Sequence, residues 1–281
     1  MNEPDAKAGD RPSHWNANAG GAWVEAQASI DRMFEPLENL LVEAIAAGVP
    51  RRVLDVGCGT GGTTLAAARR LGAGAECVGI DIAEPMIAAA RARAEREGLP
   101  ASFVLADAET HAFEPASFDA IMSRFGVMFF GDSVRAFTNL RHAARGGAAL
   151  RAIVWRSPEE NPFMTTAERA AAPLLPNIPP RVPDAPGQFG FANASRVRGI
   201  LDESGWTAID IQPVDVVCTF AATELTRYAT RFGLVGRALE DADDLTRARV
   251  VDVVRDAFAP FVHGDDVRYD AACWLIAATA P

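Results

Sequence analysis

The chain has 281 residues, 49% of them apolar and 23% charged, and 27 basic against 37 acidic side chains leave a formal charge of -10. That length and make-up support a packed core and exclude a disordered or fibrous chain. So acidic a surface repels phosphate backbones and anionic lipid, which disfavours nucleic acid or membrane as a partner, and apolar runs such as Cys273 to Ala280 are too short to span a bilayer.

From Gly21 to Gly48 the apolar residues Ile30, Met33, Phe34, Leu37, Leu40, Leu41 and Ile45 recur at helical spacing. Pro36 inside that run predicts two helices or one kinked helix. A regular alternation follows. Val53 to Val56, Glu76 to Asp81, Phe103 to Ala106, Ala120 to Ser123 and Ala148 to Trp155 read as strands. Between them lie helical patterns at Thr63 to Leu71, Pro85 to Glu97 and Val134 to Ala144, the second stopped by Gly98 and the third by Gly146-Gly147. Strands and helices in this rhythm predict a doubly wound α/β sheet.

After Trp155 the rhythm stops. Residues 157–190 hold eight prolines, too many for a sheet layer. Ser195 to Ser204 reads as a helix, Ile209 to Phe220 and Val267 to Thr279 as strands, and Thr223 to Phe261 as helical. The Pro-rich and helical stretches are expected to cap the carboxyl edge of the sheet.

Met1 to His14 is polar and lacks the apolar core of a secretory signal, and Cys58, Cys77, Cys218 and Cys273 form no metal-spaced set. Reduced thiols in a cytoplasmic protein are the expectation, with no metal.

The strongest local signal is Asp55-Val56-Gly57-Cys58-Gly59-Thr60-Gly61-Gly62 between the first strand and a helix. Glycines let a backbone turn tightly beside a ligand, and the following helix presents unpaired N–H groups. Gly57-x-Gly59-x-x-Gly62, with Asp81 at the end of the second strand, also satisfies a dinucleotide fingerprint, so an NAD(P)-dependent dehydrogenase is an alternative. The context favours a cationic ligand. Asp55, Asp81 and Asp107 end three successive strands, and Asp55 suits a ligand ammonium better than a pyrophosphate.

Residues 51–155 resemble the cofactor domain of class I S-adenosylmethionine-dependent methyltransferases, nearest the ubiquinone/menaquinone-biosynthesis C-methyltransferase group. The matching pieces are Asp55 to Gly61, Gly79-Ile80-Asp81-Ile82-Ala83-Glu84-Pro85-Met86, Ala106-Asp107-Ala108-Glu109, Phe118 to Gly126 and Leu140 to Gly147. The resemblance implies a Rossmann-like seven-stranded sheet with its last strand antiparallel, plus an N-terminal helical arm and cap segments. It also implies S-adenosylmethionine as cofactor and S-adenosylhomocysteine as product. By resemblance, Gly57, Cys58 and Gly59 lie against the methionine part, Asp81 takes the ribose hydroxyls, and Ile82 and Met86 lie near the adenine. Asp107 and Ala108 meet the adenine edge, and Ser123, Arg124 and Phe125 line the floor near the sulfonium. Trp15 and Trp23 belong to an entry resembling the lid over such a cofactor. Ala83 departs from the family's usual capping Ser.

The expected organisation is an N-terminal arm with helices (1–48), a cofactor-binding core (49–156), a Pro-rich cap (157–194), a core helix and strand (195–220), a helical cap insertion (221–265) and a final strand (266–281). Met128, Phe129 and Phe130, with Phe163, Met164, Phe189 and Phe191, are read as walls of a pocket for a small, largely apolar or aromatic acceptor. No residue is singled out as a general base. A non-catalytic S-adenosylmethionine-binding protein is the further alternative, and an oligomer is possible.

Overall fold

In a computed structural model, residues 20–281 are described. The helix α1 (Gly20–Glu25) leads into α2 (Gln27–Ala46). Pro36 lies inside α2, which runs on as one helix and is not two. The missing N–H removes one intrahelical bond, while Ile30, Met33, Phe34, Leu37, Leu41 and Ile45 bury one continuous face.

The alternation then proceeds as β1 (Arg52–Val56), α3 (Gly62–Leu71), β2 (Glu76–Asp81), α4 (Glu84–Glu97), β3 (Ala101–Leu105), β4 (Phe118–Arg124), α5 (Ser133–Ala143) and β5 (Ala144–Trp155). The anticipated glycine stop after α5 is absent, because β5 starts at once and takes Gly146 and Gly147 into the strand. The register jumps from Phe118↔Ala144 to Ala120↔Ala149, so the extra residues bulge there, with Gly147 at φ +81°.

Beyond β5 come α6 (Pro162–Ala171), α7 (Ala194–Glu203), β6 (Thr207–Ala221), α8 (Leu225–Arg231), α9 (Gly233–Glu240), α10 (Asp244–Ala257), β7 (Val262–His263) and β8 (Asp266–Thr279). The strand order is β3-β2-β1-β4-β5-β8-β6, with the two-residue β7 paired to β8 off that path. β1 to β5 pair in parallel, and β8 runs antiparallel between β5 and β6. This is the expected doubly wound sheet with its last strand antiparallel, enlarged by β7.

One feature builds the region above the carboxyl edge. β8 pairs with β5 only from Cys273 to Thr279, yet its ladder with β6 runs on to Asp266↔Ala221. The seven extra residues carry a two-stranded ribbon roughly 20 Å beyond the end of β5. Phe163 of α6 stacks flat on Tyr269 of that ribbon at 3.9 Å, ringed by Phe220, Phe258 and Phe261. Asn161, 1% exposed, seals the start of α6 to β8: its amide group donates to Ala272 O and accepts from Ala272 N, at 2.9 and 3.0 Å.

Candidate active site

The carboxyl ends of β1, β2, β3 and β4 converge on the glycine loop. Gly57, Gly59 and Gly61 all have positive φ, which bare glycine adopts without a Cβ clash. At Gly57 a close approach of backbone also requires it. A Cβ there would lie 2.5 Å from the Cα of Gly126, so the missing side chain lets the β1 and β4 loops touch. Gly59 is the open position, where a Cβ would meet only Met86 Sδ, at 3.6 Å.

Asp81 fixes the loop from β2. Its Oδ2 accepts from Gly59 N at 2.8 Å and its Oδ1 from Ala83 N at 2.9 Å. Ala83 caps α4 with no side chain, and the strand-end carboxylate takes its place in satisfying a backbone N–H near the helix start. Burial pushes the Asp81 carboxyl above its usual value, opposed by the N–H groups of Ala83, Gly59 and Ile82. Asp107 accepts from Glu109 N at 2.9 Å, and Glu109 in turn takes Gly131 N at 2.9 Å and pairs with Arg135. The β3 and β4 loops are thereby held together. Asp81, Ile82 and Asp107 are half-buried, while Met86 and Ala108 are 4% and 6% exposed.

Three candidates turn inward. Asp55 is 1% exposed and accepts from Thr64 Oγ1 at 2.6 Å, so it supports the loop from beneath instead of facing a ligand. Burial pushes its carboxyl up to about 7, against the Thr64 hydrogen bond and the positive charge of Arg124. Ser123 is fully buried; its hydroxyl donates to Val56 O at 2.8 Å and accepts from Gly126 N and Val127 N. Cys58 packs with Leu65, Ile87, Ala90 and Phe103, and burial holds its thiol well above the ordinary range. It is a small inward spacer, not a nucleophile.

The floor at the ends of β4 and β5 is aromatic. Phe125, at φ +65°, stacks on Trp155 with centroids 4.5 Å apart, and Phe34 meets both edge-on. Arg124 lies over the Phe34 ring at 5.3 Å and donates from Nε to Thr63 Oγ1 at 2.9 Å. Trp23 meets Phe232 edge-on at 5.3 Å; Trp15 lies outside the described residues.

The supposed pocket walls divide. Met128, Phe130, Phe163 and Phe191 are 7% exposed or less. Phe191 and Phe130 pack on Phe137, and Phe163 fills the junction with the ribbon, so these four are core. Phe125, Phe129, Met164 and Phe189 remain half-buried. Among the described histidines, His142 and His263 are exposed and the His111 ring packs edge-on against Phe113.

Sequence reading missed the acidic pair on α2. Asp31 Oδ1 and Glu38 Oε2 stand 2.9 and 3.1 Å from where a Gly62 Cβ would be, at the start of α3. That helix end carries partial positive charge and favours them. Arg93 of α4 donates to Thr60 O at 2.9 Å and to Asp31 Oδ2 at 2.8 Å. Their separation of 62 positions gave no local signal.

A family model described as a methyltransferase domain matches residues 53–147. The aklanonic acid methyltransferase DauC of Streptomyces sp. (strain C5) is 38% identical over 174 residues, 56% of this chain and 76% of the relative. The chain belongs to the S-adenosylmethionine-dependent methyltransferases. The demethylmenaquinone methyltransferase of Thermus thermophilus is also 38% identical to this methyltransferase, over 114 residues that span 41% of it and 51% of the relative. The solved [4+2]-cyclase SpnF shares the fold at a TM-score of 0.58 and 18% identity, covering 94% of the methyltransferase and 96% of that chain. The dehydrogenase and non-catalytic alternatives find no support in these matches. No helix among the described residues of the methyltransferase is long and apolar enough to cross a membrane.

Proposed function

We propose that this enzyme methylates an oxygen or carbon of a small, largely apolar or aromatic acceptor bound over Phe125 at the ends of β4 and β5. The observation that carries this reading is the half-buried Phe125 face, stacked on Trp155 beside Arg124 and next to the glycine loop. A flat apolar acceptor gains there by stacking, whereas a multiply charged one is desolvated without enough paired charge. Arg124, whose charge already acts on Asp55 and Glu38, leaves room for at most one anionic group on the acceptor. Aklanonic acid and demethylmenaquinone, in the relatives' names, agree with an apolar acceptor bearing few charges.

The residues suit the cofactor. The open cradle at Gly59 admits the methionine part, Asp81 accepts from ribose hydroxyls, and Ile82 and Met86 lie by the adenine, whose edge meets Asp107 and Ala108. Cys58 serves the loop from inside, and Asp55 and Ser123 hold it in shape. The cofactor supplies an electrophilic methyl group on a sulfonium. The protein aligns the acceptor atom and excludes water, which together lower the barrier by several kcal/mol, and an acceptor bound already ionised, as a phenolate or enolate, has shed its proton before the transfer and needs no dedicated base. Residues 157–194 and 221–265 form the cap, with the described part of the 1–48 arm, from residue 20 on, beside it, around a core of 49–156, 195–220 and 266–281. A cytoplasmic setting suits the reduced cysteines.

The test is incubation with methyl-labelled S-adenosylmethionine and a panel of quinols, phenols and aromatic acids, read by mass spectrometry for a methyl gain. Label transfer to polar, multiply charged acceptors alone would refute the acceptor class.

A further inference from the structure

We infer that Arg93 and Asp31 are positioning residues for methyl transfer, locking the glycine loop to the helical arm that reaches the cap. The inference rests on the reading that the cofactor lies against that loop. The Arg93 guanidinium joins three elements at once. It springs from α4, donates from Nη1 to the Thr60 carbonyl at 2.9 Å, and donates from Nη2 to Asp31 on α2 at 2.8 Å. Both partners are well covered, with side chains 11% and 24% exposed. Gln27 Nε2 donates to the same Asp31 oxygen at 2.5 Å, which fixes the carboxylate from its own helix. A planar fork aims two separate N–H groups at the two acceptors in a fixed geometry, whereas the three donors of an ammonium radiate from a single atom on a flexible stem.

The other end of the arm is tied to the cap. Glu25 at the end of α1 pairs with Arg227 and Arg231 of α8 at 3.3 and 3.5 Å, and Trp23 packs edge-on against Phe232. A continuous set of contacts thus runs from Thr60 in the loop through Arg93, Asp31 and α2 to the segment over the acceptor side. Such a link is reciprocal: a ligand that orders the loop favours the docked arm, and the docked arm favours that ligand. The ordinary reading is that Arg93–Asp31 is one more interhelical ion pair. Arg69–Glu97, an exposed pair between α3 and α4 that does not touch the loop, serves as the comparison.

The full-length protein is titrated with S-adenosylhomocysteine by calorimetry as wild type, R93M, R93K, D31N, the R93M/D31N double variant and R69M. Backbone hydrogen exchange of residues 27–46 is followed with and without the same ligand. R93M and D31N should each weaken affinity about tenfold, with the double variant no worse than either single one and R93K in between. The ligand should slow exchange across residues 27–46 in the wild type and fail to do so in R93M. R69M should bind as the wild type does. Unchanged affinity in R93M and D31N, an additive double variant, or an equal loss in R69M would each overturn the inference while leaving the cofactor reading intact. No binding by the wild type would overturn both.

Discussion

Gly57 and Gly126 bring two loops into backbone contact: a Cβ on Gly57 would stand 2.5 Å from the Cα of Gly126, and one on Gly126 would stand 2.3 Å from the carbonyl oxygen of Val56. Ser123 bridges the same gap with its hydroxyl. The junction of β1 and β4 is therefore closed by main chain, and the glycine loop is built on top of it.

Gly57→Ala and Gly126→Ala are expected to destabilise the ligand-free protein by about 3 kcal/mol, because backbone cannot yield as a side chain can. Gly59→Ala should cost only ~1–2 kcal/mol, for its left-handed φ. It should nevertheless weaken S-adenosylhomocysteine by intruding on the cradle. Thermal melts and calorimetric titrations of the three variants separate the two effects.

Asp81→Ala removes a charged acceptor and frees the N–H groups of Gly59 and Ala83. Affinity for S-adenosylhomocysteine should fall by about 2–4 kcal/mol, as two hydrogen bonds to a carboxylate are lost. NADH should show no measurable binding to either form in the same calorimeter.

Asp55 gives the ligand-free protein a pH dependence. Its carboxyl is raised from an unfolded value near 3.8 to about 7 in the fold. Between those values the folded state holds the proton more tightly than the unfolded chain does. This group's contribution therefore falls as pH rises across that window, and little further change follows above it. Burial drives Asp81 the same way. The melting temperature is expected to drop between pH 5.5 and 8, conditions chosen to bracket the upper half of the window. Asp55→Asn, which keeps an acceptor for Thr64, should flatten part of that slope.

Phe163→Ala and Phe191→Ala empty buried sites and should each cost ~3–5 kcal/mol of stability, with S-adenosylhomocysteine affinity kept in the folded fraction. Phe125→Ala should lower the melting temperature less and raise KM for an aromatic acceptor, since that ring is half-buried over Trp155. Equal loss of stability in all three variants, with KM unmoved, would return Phe125 to the core.

The amino-acid sequence by itself determined the alternation of strands and helices, the glycine loop and the carboxylates that end β1, β2 and β3. These are local patterns of apolar spacing and turn residues, legible within a few positions of each other. Tertiary structure alone decided which way each side chain faces. Asp55 and Ser123 end strands just as Asp81 does, yet they are closed in because Thr64 and Gly126 pack over them. Phe163 and Phe191 look like pocket residues in a Pro-rich stretch, but a ribbon extended by Asp266–Ala272 and the helix bearing Phe137 cover them. Pro36 breaks the helical pattern on paper, while the buried face on either side of it keeps α2 whole. The Arg93–Asp31 clamp joins residues 62 positions apart. Burial and long-range pairing depend on which distant surfaces meet, and no spacing along the chain encodes that meeting.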